Sequence, residues 1–315
     1  MVNKKITNRF VDYFKIFKKS VGHFGANRPV EHAGTTAYFA IFSMAPILII
    51  IVSVFGYFAG DEAIREKLFE EINVLLGNES TRVLRNAIEN YNLAQNSTIG
   101  TIIGVSFFLI SATTLFSAMQ NSINYIWRIQ VKSKLKWGVI NLLKTRLLSF
   151  GVILSMGFVL LVSLVVDASI AFLRDFLSKQ FTPDFIILAQ AANILLSLAI
   201  VSGVFVLIYR YLPDLQVKWS ASWYGAIITA VLFAIGKIVI GVIIGNSNLG
   251  AVYGAASSFA VILVWIFFVS VIFYFGVELT YQYSKYYNHK NKPVKFAIPF
   301  EISSTVEQRK HTIDT

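Results

Sequence analysis

The sequence predicts an all-α, polytopic membrane protein. It should have six transmembrane helices, an N-terminal cytoplasmic amphipathic helix and an extracytoplasmic helical hairpin between spans 1 and 2. Three observations carry this. Of 315 residues 56% are hydrophobic and only 14% charged, whereas a soluble domain carries about 25% charged residues. The apolar residues fall into blocks close to the roughly 20 that a helix needs to cross the hydrocarbon core. Lys and Arg also alternate in density from loop to loop, as they do when successive loops lie on opposite sides of a bilayer. The expected divisions are a cytoplasmic amphipathic segment (1–35), a six-helix transmembrane domain (36–284, including an outer hairpin over 61–97) and a partly disordered cytoplasmic tail (285–315).

Composition also excludes classes. The net charge is +11, but the basic residues cluster in loops on one side. They therefore point to membrane lipids with anionic headgroups, and no nucleic-acid partner is expected. No cysteine is present, which removes disulfides, thiol nucleophiles and thiolate metal sites. The four histidines, His23, His32, His289 and His311, lie near the chain ends without ligand-like spacing, so no metal or other cofactor is expected. The first apolar block starts only near Thr36 and is about 24 residues long, too late and too long for a cleaved signal peptide.

In order, Phe10, Tyr13, Phe14, Phe17, Val21 and Phe24 recur at helical spacing with Lys15, Lys18 and Lys19 between them. An aromatic face beside a basic one suits a helix lying in an anionic membrane interface, with a partner-binding helix as the competing reading. Span 1 covers about 36–60, with Pro46 expected to kink it. Residues 61–97 carry two amphipathic runs, Ile64-Leu68-Ile72-Leu75 and Val83-Leu84-Ala87-Ile88-Tyr91, broken at Gly77-Asn78. Span 2 covers about 99–119 and continues a polar stripe, Thr113, Ser117, Gln120, Asn121 and Asn124, into a strongly basic loop over 128–146. Span 3 (about 147–173) carries Asp167, and span 4 (about 185–209) carries Gln190, Asn193 and Ser197 on one face. Span 5 runs from Trp223 to Gly245. The uncharged, Gly-rich segment 246–257 reads either as a loop or as re-entrant backbone lining a cavity. Span 6 (about 258–281) repeats polar residues at steps of four: Ser270, Tyr274 and Glu278.

The side holding both termini collects 21 of the 28 Lys and Arg against 6 on the other, with Lys237 inside span 5. The positive-inside rule then places both termini in the cytoplasm.

Lys237 is the feature most in need of explanation. It shares a stripe with Ala226, Ala230, Ala234, Gly241 and Gly245, small residues that allow close helix packing, which predicts a lysine pointing into the bundle. From the helix rise it lies about 12 Å inside the outer end of its span, Asp167 about 9 Å and Asn193 about 13 Å. Lys237, Asp167, Gln190, Asn193 and Ser197 are therefore the candidate lining of a polar cavity in the outer half of the bundle, with Lys237 and Asp167 paired. The alternatives are a lysine that snorkels or forms a fixed ion pair, and polar groups that only hold helices together. Glu278 and Arg210, near the inner ends of spans 6 and 4, form a candidate inner-side anchor pair.

Four stretches resemble the YihY/virulence factor BrkB family of bacterial inner-membrane proteins: AYFAIFSMAPILIIIVSVFG, SATTLFSAMQNSINYIW, YRYLPDLQVKWSASWYGAIITAVLFAIGK and AVYGAASSFAVILVWIFFVSVIFYFGVELT. The resemblance covers about residues 10–285, with Gly-Val-Glu where the family more often shows Gly-Ala-Glu. It implies a multi-pass inner-membrane protein and supplies no catalytic residues. Members have been linked with serum resistance and envelope lipid export, and have carried a ribonuclease label. RNA hydrolysis needs a clustered acid–base or metal constellation, which this sequence does not offer. The expected function is a non-enzymatic transporter or lipid-translocating protein acting on a lipid or small molecule. A membrane scaffold or regulatory protein is the alternative.

Overall fold

The computed structural model describes residues 2–59, 61–94, 111, 114–131, 147, 151, 183–246, 256–294 and 297–300. Within these the chain is mostly helical. Most of expected span 2, span 3 with Asp167, the central part of the segment 246–257 and the tail beyond 300 lie outside the described residues, as does the 128–146 loop from 132 onward.

Helix α1 (Val2–Phe24) passes through a short 3-10 turn, Gly25–Asn27, to Arg28, whose left-handed backbone turns the chain. Proline occupies the first position of α2 (Pro29–Ala59), where its missing N–H has no helical partner to lose. Helix α2 thus begins seven residues before the apolar block, because hydropathy marks where lipid begins and backbone hydrogen bonding starts where the turn ends. It continues as helix through Pro46.

Helix α3 (Asp61–Ala94) is two helical arms meeting at Gly77, whose φ of 78° is open to glycine and strained for other residues. This is the break that Gly77-Asn78 predicts. Ile64, Leu68, Ile72, Leu84 and Ile88 from the two expected amphipathic runs are all buried against Leu48, Ile51 and Val52 of α2 and Ile262.

Helix α4 (114–126) leads into strand β1 (Ile129–Val131). Helices α5 (Pro183–Tyr211), α6 (Trp219–Asn246) and α7 (Ser257–Tyr286) follow. Strand β2 (Ala297–Pro299) returns antiparallel to β1, pairing Ile129 with Pro299 and Val131 with Ala297. This small ribbon is a departure from a purely helical chain. On the way to it, Val294 donates its N–H to the Asp214 carbonyl, and the Gln216 N–H donates to the Lys292 carbonyl. The first part of the expected tail is therefore hydrogen-bonded across the end of the bundle as far as Phe300.

Helix α7 is the hub and packs on α1, α2, α3 and α6. Its closest crossing is with α6. There Gly225 faces Thr280 and the Gly276 carbonyl, and Gly276 faces Thr229 and Tyr209. Small residues let the two backbones approach, which is how helices associate when both sides of the contact are apolar. The apolar core forms two clusters. One joins Ile16, Ile123, Tyr209, Leu212, Phe273 and Tyr274 at the end where α1 and the β1–β2 ribbon lie. The other joins α2, α3 and the first half of α7.

Helix α1 does not lie free of the bundle. Ile16 and Ser20 are fully buried, and the Tyr224 hydroxyl donates to the Tyr13 carbonyl at 2.8 Å. Tyr13 stacks on Tyr283, and Phe17 and Phe24 meet Phe275 edge-on. The aromatic face is thus divided: Tyr13, Phe17 and Phe24 turn inward, while Phe14 (69% exposed) and Val21 (55%) remain outward beside the lysines.

Candidate functional site

The structure treats the expected cavity residues unequally. Lys237 lies on α6 with its side chain exposed, among exposed Ile235, Ile238, Val239 and Val242. Only the first part of its small-residue stripe is covered: Ala226 and Ala230 are buried, whereas Ala234 and Gly241 are exposed. The contact line toward α7 runs instead through Gly225, Thr229 and Gly236, the last against Ile272. The described residues therefore do not turn Lys237 into the bundle. A stripe gives the residues able to pack closely, but the crossing angle of the neighbouring helices decides how far along it they stay in contact. Ser197 is exposed on α5, Gln190 and Asn193 are placed on that helix by backbone alone, and Asp167 lies outside the described residues.

The expected Glu278–Arg210 pair is not formed. Glu278 is fully buried and each carboxylate oxygen accepts a short bond, from Asn27 Nδ2 at 2.6 Å and from Gln282 Nε2 at 2.7 Å. Asn27 is held in turn by Arg128, whose Nη2 donates to Asn27 Oδ1 at 2.7 Å. Arg210 points elsewhere. Its Nη1 donates to the Val217 carbonyl and its guanidinium lies over the Trp219 ring, 4.5 Å from the centroid. Both residues sit at one end of the bundle, but a shared end does not imply a shared contact.

Around Glu278 a polar layer ties distant parts of the chain together. The polar face of α7 at steps of four is buried throughout: Ser270, Tyr274 and Glu278. Tyr274 and Thr36 share a hydroxyl–hydroxyl bond of 2.5 Å, so α7 is fastened to the α1–α2 junction at two levels. A second knot surrounds buried Asp214, in the turn between α5 and α6. Asn124 Nδ2 donates to Asp214 Oδ2 at 2.7 Å, and the Asp214 N–H donates back to Asn124 Oδ1 at 2.9 Å. Gln120 Nε2 reaches both Asp214 Oδ1 and the Leu212 carbonyl. Gln120 and Asn124 are one helical turn apart and share a face of α4. A third link is made by Tyr209, whose hydroxyl lies within hydrogen-bond distance of both Thr229 Oγ1 (3.0 Å) and the Phe273 carbonyl (2.9 Å).

Sequence reasoning missed Asn27, Arg128 and Asp214 as members of this layer. Only the Gln120/Asn124 spacing hinted at it. The Glu278 and Asp214 carboxylates are engaged by amides that hold them in place. The layer is therefore a clasp between segments.

A mostly helical chain with membrane-protein relatives, in which two stretches among the described residues, Trp219–Ile243 and Ser257–Tyr286, are long and apolar enough to cross a bilayer, is an integral membrane protein. The virulence factor BrkB family model matches residues 20–297, and the chain belongs to that family. Among its relatives is a UPF0761 membrane protein of Acinetobacter baylyi, 24% identical over 88% of this chain and 64% of the relative, so the match spans just under two thirds of that protein. UPF0761 membrane proteins of Photobacterium profundum (24% identical; 89% of this chain, 86% of the relative) and Pseudoalteromonas translucida (26%; 85% and 91%) match over most of both lengths. No solved structure matches the chain.

Proposed function

We propose that this membrane protein moves or exports a lipid or other small molecule of the cell envelope and is not an enzyme. The observation that supports this is Lys237, an ammonium in the middle of a spanning helix with apolar neighbours on its exposed face. A charged group at that depth costs about 2.5–3.5 kcal/mol on insertion scales unless something polar meets it. A headgroup or polar solute passing along that face would meet it, with Asp167, Gln190, Asn193 and Ser197 as further candidates for the path. Lys237→Ala is expected to insert and fold normally yet lose most lipid or solute movement in proteoliposomes, while Lys237→Arg retains part of it. Equal rates for Lys237→Ala and the parent chain would remove Lys237 from the path and favour a scaffold.

The proposal includes a bacterial inner-membrane location, six spans and cytoplasmic termini. Its support is the skewed distribution of Lys and Arg. A fluorescent protein fused at either end is expected to fluoresce, and alkaline phosphatase inserted at Asn78 to be active. Active phosphatase at the C-terminus would reverse the topology.

A further inference from the structure

A groove of about 440 Å³ opens where α5 ends and α6 begins, lined by Arg210, Lys290 and the five residues from Gln216 to Ser220. Three of these seven side chains, Arg210, Lys218 and Lys290, are cationic. Arg210, Lys218 and Lys290 form no ion pair among the described residues. The acid in the same turn, Asp214, is buried and held by Gln120 and Asn124.

The backbone adds to this positive field. Helix α6 starts at Trp219, and the Lys218 carbonyl accepts the N–H groups of Ala221 and Ser222. The first backbone N–H groups of a helix have no intrahelical acceptor and carry the positive end of its dipole, which favours an anion there. His289 lies close by, its imidazole pKa lowered by burial and further by the charge of Lys218. Tyr211 (47% exposed) and Trp219 (46%) flank the groove, and exposed Trp and Tyr at a helix end mark the headgroup level of a bilayer.

We propose that this groove binds a phosphate anion, held by Lys218, Lys290 and the backbone N–H groups of Trp219 and Ser220 that open α6. At that depth the phosphate belongs to an anionic lipid headgroup, with free inorganic phosphate as the other source of the same chemistry. The proposal takes the basic end as headgroup-facing and does not depend on the transport reading.

The full-length protein in nanodiscs of equal phosphatidylglycerol and phosphatidylcholine, analysed by native mass spectrometry, supplies the lipid arm. Thermal stabilisation by inorganic phosphate over chloride at matched ionic strength supplies the other. The parent is expected to retain phosphatidylglycerol preferentially. The double variant Lys218→Gln/Lys290→Gln should lose roughly fivefold of that preference per lysine. Both lysines are exposed, so the variant should fold, and Lys15→Gln/Lys19→Gln removes equal charge from α1 as a control. Loss in the lipid arm alone assigns the site to a headgroup, and loss in the phosphate arm alone assigns it to the free anion. Equal loss in the control, an unchanged groove variant, or no preference in the parent for either ligand would overturn the proposal. Transport by the Lys237 variants reads out separately, so either idea can fail while the other stands.

Discussion

Replacing Gly276 with valine is expected to prevent the bundle from assembling. A side chain there would run into Thr229 Oγ1 and Tyr209 Oη, and Tyr209 is fixed by its bonds to Thr229 and the Phe273 carbonyl. Neither neighbour is the loose end of a flexible side chain, so α6 and α5 would have to move away from α7. Overpacking of this kind costs about 1–3 kcal/mol and sometimes more. Alanine should fall within that range, and valine should exceed it because it adds two further methyl groups and separates the helices along their length. Thermal melting in detergent and the monodisperse fraction after extraction measure the effect. Gly203→Ala, at a position with open space around the added carbon, provides the comparison. A Gly276→Val protein that melts with its parent would mean that the two helices do not cross as described.

The second large effect is expected at Glu278. Glu278→Leu removes the acceptor for both Asn27 and Gln282 and leaves their amides, and indirectly Arg128, without their anion in a buried place. Hydrogen bonds to a charged group contribute about 1.5–3 kcal/mol each, and orphaned buried donors add to the loss. A net loss of about 2–5 kcal/mol follows for the leucine variant and less for Glu278→Gln, which keeps one acceptor oxygen. Because Asn27 sits at the junction of α1 and α2, the loss should also loosen α1. Trypsin should then cut at Lys18 and Lys19 faster than in the parent protein. If cleavage and melting are both unchanged in Glu278→Leu, the clasp contributes nothing to stability.

Much of the architecture was readable from residue order because it rests on periodicity and local chemistry. The break at Gly77 follows from an adjacent glycine and asparagine between two amphipathic runs. The buried α7 face at Ser270, Tyr274 and Glu278 follows from spacing of four. Helix limits were less legible. Helix α6 starts at Trp219, four residues before the apolar block suggests, because Lys218 supplies the carbonyl that caps it.

Composition, apolar block length and the distribution of Lys and Arg determined that this chain is a helical membrane protein. Those properties belong to segments, and a segment carries them wherever its neighbours lie. Partnership is different, because it joins residues far apart in the chain. Asn27 meets Glu278 across 251 positions and Asn124 meets Asp214 across 90. No local pattern encodes such a meeting. The crossing of α6 with α7 and the docking of α1 brought those groups together, separated Arg210 from Glu278, and left Lys237 on an exposed face.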